Sequence, residues 1–323
     1  MAGGQERILR RRIKSIQSTK KVTKAMELIS ASRIMKAQAR VAAARPYSEQ
    51  ITAVIGNLAA GGAGLSSPLL TERDEVRTVA YVVITADRGL AGGYNGNVLR
   101  TAERAIRDTR AGGQDARIVV VGKKGRDYFR FRHYEIDDAF LGMTDQPTYD
   151  DARQGAEVVS ARFESGEYDR VELVYTQFLS VASQRVTSRR FMPLDSTALE
   201  AAAASAGERP SASYEFEPDP AVILDRLLPR YAEARLFASL LEASASEHAA
   251  RQRAMKSASD NAEELITKLS RVMNRARQDS ITNEIMEIVG GAEALGADKG
   301  DKEDILLDLT FPHDLFAHHS EKK

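Results

Sequence analysis

The sequence predicts an α/β body inserted between two long terminal helices. Three observations carry that expectation. Residues 3–58 are dominated by helix formers, and residues 220–295 repeat the pattern with apolar side chains at helical spacing. Between them lie short β-branched runs separated by glycine-rich turns. The 323 residues suffice for one domain plus extended helices. The expected divisions are an N-terminal helix over 1–60, a body over 61–215, a C-terminal helix over 216–296 and a mobile tail over 297–323.

Along the first helix, Ile13 and Ile16 share a face, and Val22, Met26 and Ile29 share another one step on. Pro46 is expected to kink or locally break it. Gly61, Gly62, Gly64 and Ser66 end it in a loop. The runs 78–85 and 117–121 read as buried strands, with helical spacing over 96–109 between them. Strand, glycine loop, helix and strand make a βαβ unit, so the sheet is expected to be parallel and Rossmann-like. A helix over 150–165, a strand over 169–177 and an alternating edge strand over 185–194 complete the body. The Ala-rich stretch 198–206, followed by Gly207, Pro210 and Ser211, reads as a surface insertion.

Asp219 and Pro220 suit the cap and first turn of the last helix, and Pro229 predicts a kink or restart. Ala258, Ala262, Leu265, Leu269, Val272 and Ala276 step by four and three, a coiled-coil register. Five residues then separate Ala276 from Ile281, which predicts that the buried face rotates before Ile285 and Ile288. A helix over 220–295 is on the order of 110 Å long and needs a partner. The first helix is the candidate within this chain. Gly296 suits its stop.

Composition narrows the chemistry. Without Cys, disulfides, thiol catalysis and Cys-bound zinc are excluded. Aromatics make up 6% with no Trp, which favours narrow helix–helix seams over a large aromatic core. No stretch approaches 18 consecutive apolar residues, so no direct membrane insertion is expected. Neither a signal peptide nor a transit peptide is apparent, and a bacterial-type cytosolic chain is the simplest reading. The net charge is zero, yet twelve Lys and Arg residues from Arg7 to Arg45 face only Glu6 and Glu27. Such a stripe either is solvated or meets an acidic partner.

The glycine loop from Asp87 to Gly96 stands where phosphate-binding loops stand. Its spacing matches neither G-x-G-x-x-G nor a Walker A sequence, and Gly122-Lys123-Lys124-Gly125 fails the same test. A tight structural turn is the favoured reading of both. His313, His318 and His319 could chelate a metal weakly, but no ligand set with fixed spacing accompanies them. Adjacent carboxylates such as Asp137-Asp138 and Glu263-Glu264 read as solvated faces. No catalytic residue, cofactor or metal is expected.

Residues 281–292 contain Ile281-Thr282-x-Glu284-x-x-Glu287-x-x-x-Gly291-Ala292. With 19–32, with Asp87-Arg88-Gly89-Leu90-x-Gly92-Gly93-x-Asn95, and with Ser246-Glu247-x-Ala249-Ala250-Arg251, this resembles the γ-subunit family of F-type ATP synthases over nearly the whole chain. The resemblance implies a central rotor shaft, a non-catalytic subunit of a proton-transporting ATP synthase. Its terminal helices would form an antiparallel coiled coil inside a ring of α and β subunits. The body would sit on the ε subunit and the membrane-embedded c-ring, peripheral to the cytoplasmic face of a bacterial plasma membrane. By motif position, Met26 with Lys24 and Lys21 would touch β, as would Arg251, Gln278, Thr282 and Glu287. Glu215, Phe216 and Glu217 would lie in the foot near the c-ring and ε. An acidic loop on β would meet the basic first helix.

Departures from the family pattern are the 28 residues after Leu295, Pro229 and the insertion over 198–213. Two other readings stay open: a nucleotide-binding enzyme on the βαβ unit, and a coiled-coil scaffold, with nucleic acid as partner through the basic helix. The interleaved Ile, Met and Val favour helix pairing, and no nucleic-acid partner is expected.

Overall fold

The computed structural model describes residues 2–60, 67–194, 217 and 219–296. The chain divides into two compact units, Ser18–Ala262 and the helix ends Met1–Gln17 with Glu263–Lys323. The expected insertion over 198–213 and the tail over 297–323 lie outside the described residues.

The elements follow in the order α1 (Ala2–Ala60), β1 (Thr78–Ile84), α2 (Tyr94–Ala111), β2 (Asp115–Val121), α3 (Lys123–Phe131), β3 (Asp138–Phe140), α4 (Tyr149–Glu164), β4 (Arg170–Phe178), β5 (Gln184–Met192) and α5 (Pro220–Gly296). The five strands form one sheet in the order β3-β2-β1-β4-β5. β1 pairs in parallel with both β2 and β4, and β5 closes one edge antiparallel to β4. The βαβ expectation therefore holds, as does the edge position of the last strand. Chain order reverses between β1 and β4, which makes their carboxyl ends the switch point of the sheet.

Alternation along β1 sorts the core into two layers. Val79, Tyr81 and Val83 face α2 and α3 together with Val98, Ile106 and Phe129. Ala80, Val82 and Ile84 face the other way, onto Ile51 and Ile55 of α1, Ala156 and Phe163 of α4, and Leu228, Leu236 and Leu240 of α5. A sheet buried on both faces explains why its strands read as continuous apolar runs. Thr148 caps α4 by accepting from the Asp151 N–H, while the Asp151 carboxylate accepts from the Thr148 N–H at 2.7 Å. Asp219 accepts from the Ala221 N–H at 2.8 Å, the expected cap of α5.

Several expectations are corrected. α1 and α5 are continuous through Pro46 and Pro229, so neither helix breaks or restarts at its proline. α3 occupies the second glycine motif. A Cβ on Gly122 would stand 2.3 Å from the Thr85 carbonyl oxygen, and one on Gly125 2.7 Å from Val120. These glycines permit close packing of α3 against β1 and β2, with no anion implied.

The helix seam also differs. In the unit Ser18–Ala262, the sheltered residues of α1 include Lys20, Thr23, Glu27, Ser30, Ile34 and Ala37, an unbroken three–four spacing, and those of α5 include Met255, Ser259 and Ala262. Thr23 and Ser259 meet hydroxyl to hydroxyl at 2.7 Å. In the other unit the spacing continues through Leu9, Ile13 and Ile16 on α1, and Ile266, Leu269, Met273, Ala276 and Ser280 on α5. Leu265 and Val272, placed in the seam by sequence spacing, are about half exposed. No rotation of the sheltered face occurs after Ala276, because the true repeat passes through Ser280 while Ile281, Ile285 and Ile288 point outward. Val22 and Ile29 are likewise exposed, one position beside the seam.

Candidate functional site

Small and hydroxylated residues form the seam where α1 meets α5. Ser30 donates to the Met26 carbonyl, and of Thr23 and Ser259 one hydroxyl donates across the seam to the other, which in turn donates to its own helix at the Lys20 or Met255 carbonyl, so all three are satisfied without water. Several large apolar side chains nevertheless lie outside the seam. Val22, Leu28, Ile29 and Met35 are all more than half exposed on α1. On the end of α5 the same is true of Ile285, Met286, Ile288 and Leu295. These faces are the feature that calls for a partner.

Among the expected contact residues, Lys21 is exposed, Met26 is partly covered and Lys24 pairs with Glu27 at 3.0 Å. Gln278, Thr282 and Glu287 are exposed on α5 in the other unit. Glu217 is exposed, while Glu215 and Phe216 lie outside the described residues.

Arg251 stands apart, since it is buried. Its guanidinium donates to Glu247 at 2.5 Å and to the Gly89 carbonyl at 3.3 Å. It thereby holds the loop after β1. That loop is fixed from its other side as well. Asp87 accepts from the Lys123 N–H at 3.0 Å and from the Thr144 hydroxyl at 3.0 Å, and Asn95 accepts from the Ala86 N–H at 2.8 Å. Leu90 has φ 62° and is exposed, a strained posture for a branched side chain that the surrounding bonds impose.

A second tie joins α1 to α5 through the loop before α4. Arg33 binds the Asp145 carboxylate through both oxygens. Ser244 donates to the Asp145 carbonyl at 3.0 Å, and His248 approaches the same carbonyl at 3.2 Å. Arg40 donates to the Pro147 carbonyl. Further along, Tyr149 donates to Glu233 at 2.8 Å and packs edge-on against Tyr47 and Phe237. Rising numbers on α1 (23, 33, 47) thus meet falling numbers on α5 (259, 248, 237), so the pair is antiparallel.

Burial governs the ionisation here. It pushes the Glu247 carboxyl up to about 7 despite the neighbouring Arg251, and one Glu247 oxygen has no hydrogen-bond partner. It lowers His248 below the ordinary imidazole range. The polar tie formed by Glu247, His248 and Asp145 was not foreseen from sequence. Its available signal was Glu247 and Arg251 four apart on a helix otherwise rich in Ala and Ser.

Among the described residues no group of three His, Cys, Asp or Glu could hold a metal ion. A helix pair that leaves large apolar side chains exposed beside its seam, among charged ones, offers a surface for other chains to cover. That defines the class, a coiled-coil subunit of a larger assembly. The family model described as ATP synthase matches residues 5–295. An ATP synthase gamma chain from Frankia casuarinae is 51% identical over 298 residues, covering 91% of this chain and 99% of that one. One from Pelotomaculum thermopropionicum is 45% identical over 289 residues, covering 90% and 98%. Among solved structures, the central stalk and c-ring of the Tetrahymena thermophila mitochondrial ATP synthase matches with TM-score 0.57 and 22% identity, covering 74% of this chain and 99% of that one. A Euglena gracilis mitochondrial ATP synthase structure matches with TM-score 0.63 and 17% identity over 93% of this chain and 98% of that one. These two show likeness of fold.

This chain belongs to the ATP synthase gamma chain family. It is a non-catalytic subunit, the central-stalk rotor that couples rotation to catalysis.

Proposed function

We propose that the outward faces of α1 and α5 are the surfaces through which this rotor acts on the catalytic β subunits. The observation that carries this is the separation of roles across each helix. Seam positions are sheltered, with the hydroxyls of Thr23, Ser30 and Ser259 bonded within the helix pair, whereas large apolar residues flanking the seam, such as Val22 and Ile29, are exposed. A rotor needs a stiff seam to transmit torque and an outer face whose contacts form and break at each step. Exposed ion pairs suit the second need, because each is worth only about 0.2–1 kcal/mol. Lys21, Lys24 and Met26 would meet β on α1, and Gln278, Thr282 and Glu287 on α5. Arg251 would serve the contact from inside, by fixing the Asp87–Gly93 loop.

In this reading the c-ring, driven by protons, turns the body, with ε alongside and Glu215, Phe216 and Glu217 in the foot. The chain would be peripheral, on the cytoplasmic face of a bacterial plasma membrane. Support comes from the family and from the observation that no described helix is long and apolar enough to cross a membrane.

Met26→Lys tests the contact. It adds a cation to a partly covered position that already neighbours Lys24 and Glu27. In inverted membrane vesicles the expected result is continued ATP hydrolysis with proton pumping per ATP reduced several-fold. An unchanged ratio removes Met26 from the contact.

A further inference from the structure

We propose that Asp145 is a positioning residue of the rotor, the clamp that makes α1, α5 and the body turn as one. This rests on the chain being a rotor and is independent of the outer surfaces proposed above. The apolar core reaches α1 at Ile51 and Ile55, and α5 from Leu224 to Ala243. Apolar attraction is non-directional, so it fixes the angle of a helix on the sheet less sharply than hydrogen bonds do. Arg33 lies further along α1, about 27 Å from Ile51 at the rise of a helix. There the helices are held by polar bonds instead, and Asp145 meets both of them.

The Asp145 carboxylate is gripped through both oxygens by Arg33 of α1. Its backbone carbonyl accepts from Ser244 and His248 of α5. A carbonyl only accepts, so His248 carries its proton on Nε2. Its Nδ1 is then an acceptor, and it faces the Arg251 guanidinium at 3.5 Å. Arg251 in turn donates to the Gly89 carbonyl at 3.3 Å. Asp87, two residues before Gly89, is bonded to the Thr144 hydroxyl, next to Asp145. These bonds close a ring through Gly89, Arg251, His248, Asp145, Thr144 and Asp87. The ring ties α5 to two separate loops of the body. Arg33 carries it across to α1, with Arg40 beside it on the Pro147 carbonyl.

Stability alone does not account for the pair at the centre of this arrangement. The Arg33 and Asp145 side chains are 30% and 23% exposed, and an ion pair that meets water adds little to folding. Its two-pronged geometry does fix orientation. Loss of the pair should therefore leave the chain folded and loosen the seat of the helices on the body.

The chain has no Cys, so Phe131→Cys, at a side chain 81% exposed on the body, gives one attachment point for a rotation probe. The labelled chain is assembled with ATP synthase α and β subunits, fixed to a surface through them, watched under ATP and then stalled with a non-hydrolysable analogue. The angular spread of the stalled probe reports how stiffly the body is joined to the shaft. Asp145→Asn and Arg33→Gln should each raise the angular variance at least about twofold, and the double variant no further than either single one. Asp137→Asn is the control. It also removes a carboxylate bonded to a tyrosine and paired with an arginine, but at the amino ends of the strands, and it should keep the parent's spread. In the isolated full-length chain, the amides of 143–148 should exchange at least about tenfold faster in both clamp variants, with β1 and β2 at parent rates. That second readout stands whether or not a variant assembles. A parent probe that never turns would count against the rotor reading, and the exchange rates would then decide on the clamp alone. The proposal is overturned if either clamp variant stalls with the parent's spread, if the control widens it equally, if the double variant widens it well beyond each single one, or if the 143–148 amides keep their parent rates.

Discussion

Glu247 is the residue whose environment most contradicts its chemistry. A carboxyl that ordinarily titrates near 4.5 is held up to about 7 by burial, with Arg251 opposing the shift and Asp145 and Asp87 adding to it. Between these values the folded chain keeps a proton that the unfolded chain releases. The contribution of Glu247 to stability is therefore fully present in acid and lost as pH rises through about 7. His248 works in the opposite sense. Its lowered value makes the unfolded chain the better proton acceptor below the ordinary imidazole range, so stability falls there with acid. Subtracting Glu247→Gln from the parent removes the histidine from the comparison. The unfolding free energy of the variant minus that of the parent, from urea titrations, should rise from pH 5 to pH 8 by an amount on the order of 2 kcal/mol. A difference flat with pH would mean that Glu247 holds the same charge folded and unfolded. The sequence marks this group only by its spacing to Arg251, four residues on, a spacing that the exposed Glu264 and Lys268 share. Burial of one carboxylate among several is set by which loops α5 crosses, and the cited contacts to those loops span 99 and 162 residues of sequence.

At the scale of elements, legibility followed the side chains that decide each element. β1, β2, β4 and β5 were readable to within about two residues because β-branched and alternating runs leave few other choices. α3 was not, since Lys-Lys-Gly-Arg-Asp opens like a loop and its helicity is set by packing of Gly122 and Gly125 on Thr85. β3 is three residues long and shows no period. The seam of α1 and α5 was misread for a more general reason. Coiled-coil registers are assigned by placing the largest apolar residues inside, and here Thr23, Ser30, Ser259 and Ala262 hold seam positions beside Ile34, Ile266 and Leu269, while Leu265 and Val272 stand outside. If Thr23 and Ser259 form a real seam contact, their energies should be coupled. Thr23→Val alone is expected to cost about 1 kcal/mol, because Ser259 keeps only its bond to the Met255 carbonyl. Adding Ser259→Ala should restore much of that loss, and a double-mutant cycle by urea unfolding measures the coupling. Purely additive costs would place the two hydroxyls apart in solution.

For the molecule as a whole, the question is why a chain with net charge zero leaves so many large apolar side chains in water. Scattered single residues of this kind are ordinary on a protein surface, but a regularly spaced group on one helix is not. On the end of α5, Ile281, Ile285 and Ile288 step by four and three beside a seam that does not need them. Each could contribute roughly 1.5–3 kcal/mol when covered. This predicts a separation of folding from assembly. Replacing all three by Ser should leave the unfolding midpoint of the isolated chain within a degree or two, since surface substitutions away from packed features change stability by about 0.5 kcal/mol or less. The same variant should self-associate less by light scattering, and it should be recovered with ATP synthase α and β subunits in markedly lower yield than the parent when the three chains are produced together. If it unfolds several degrees earlier, the isoleucines are seam residues after all and the sequence register was right. If it assembles at the parent's yield, the exposed stripe is not the surface that partners enclose, and the exposed face of α1 carrying Val22 and Ile29 takes its place in the argument.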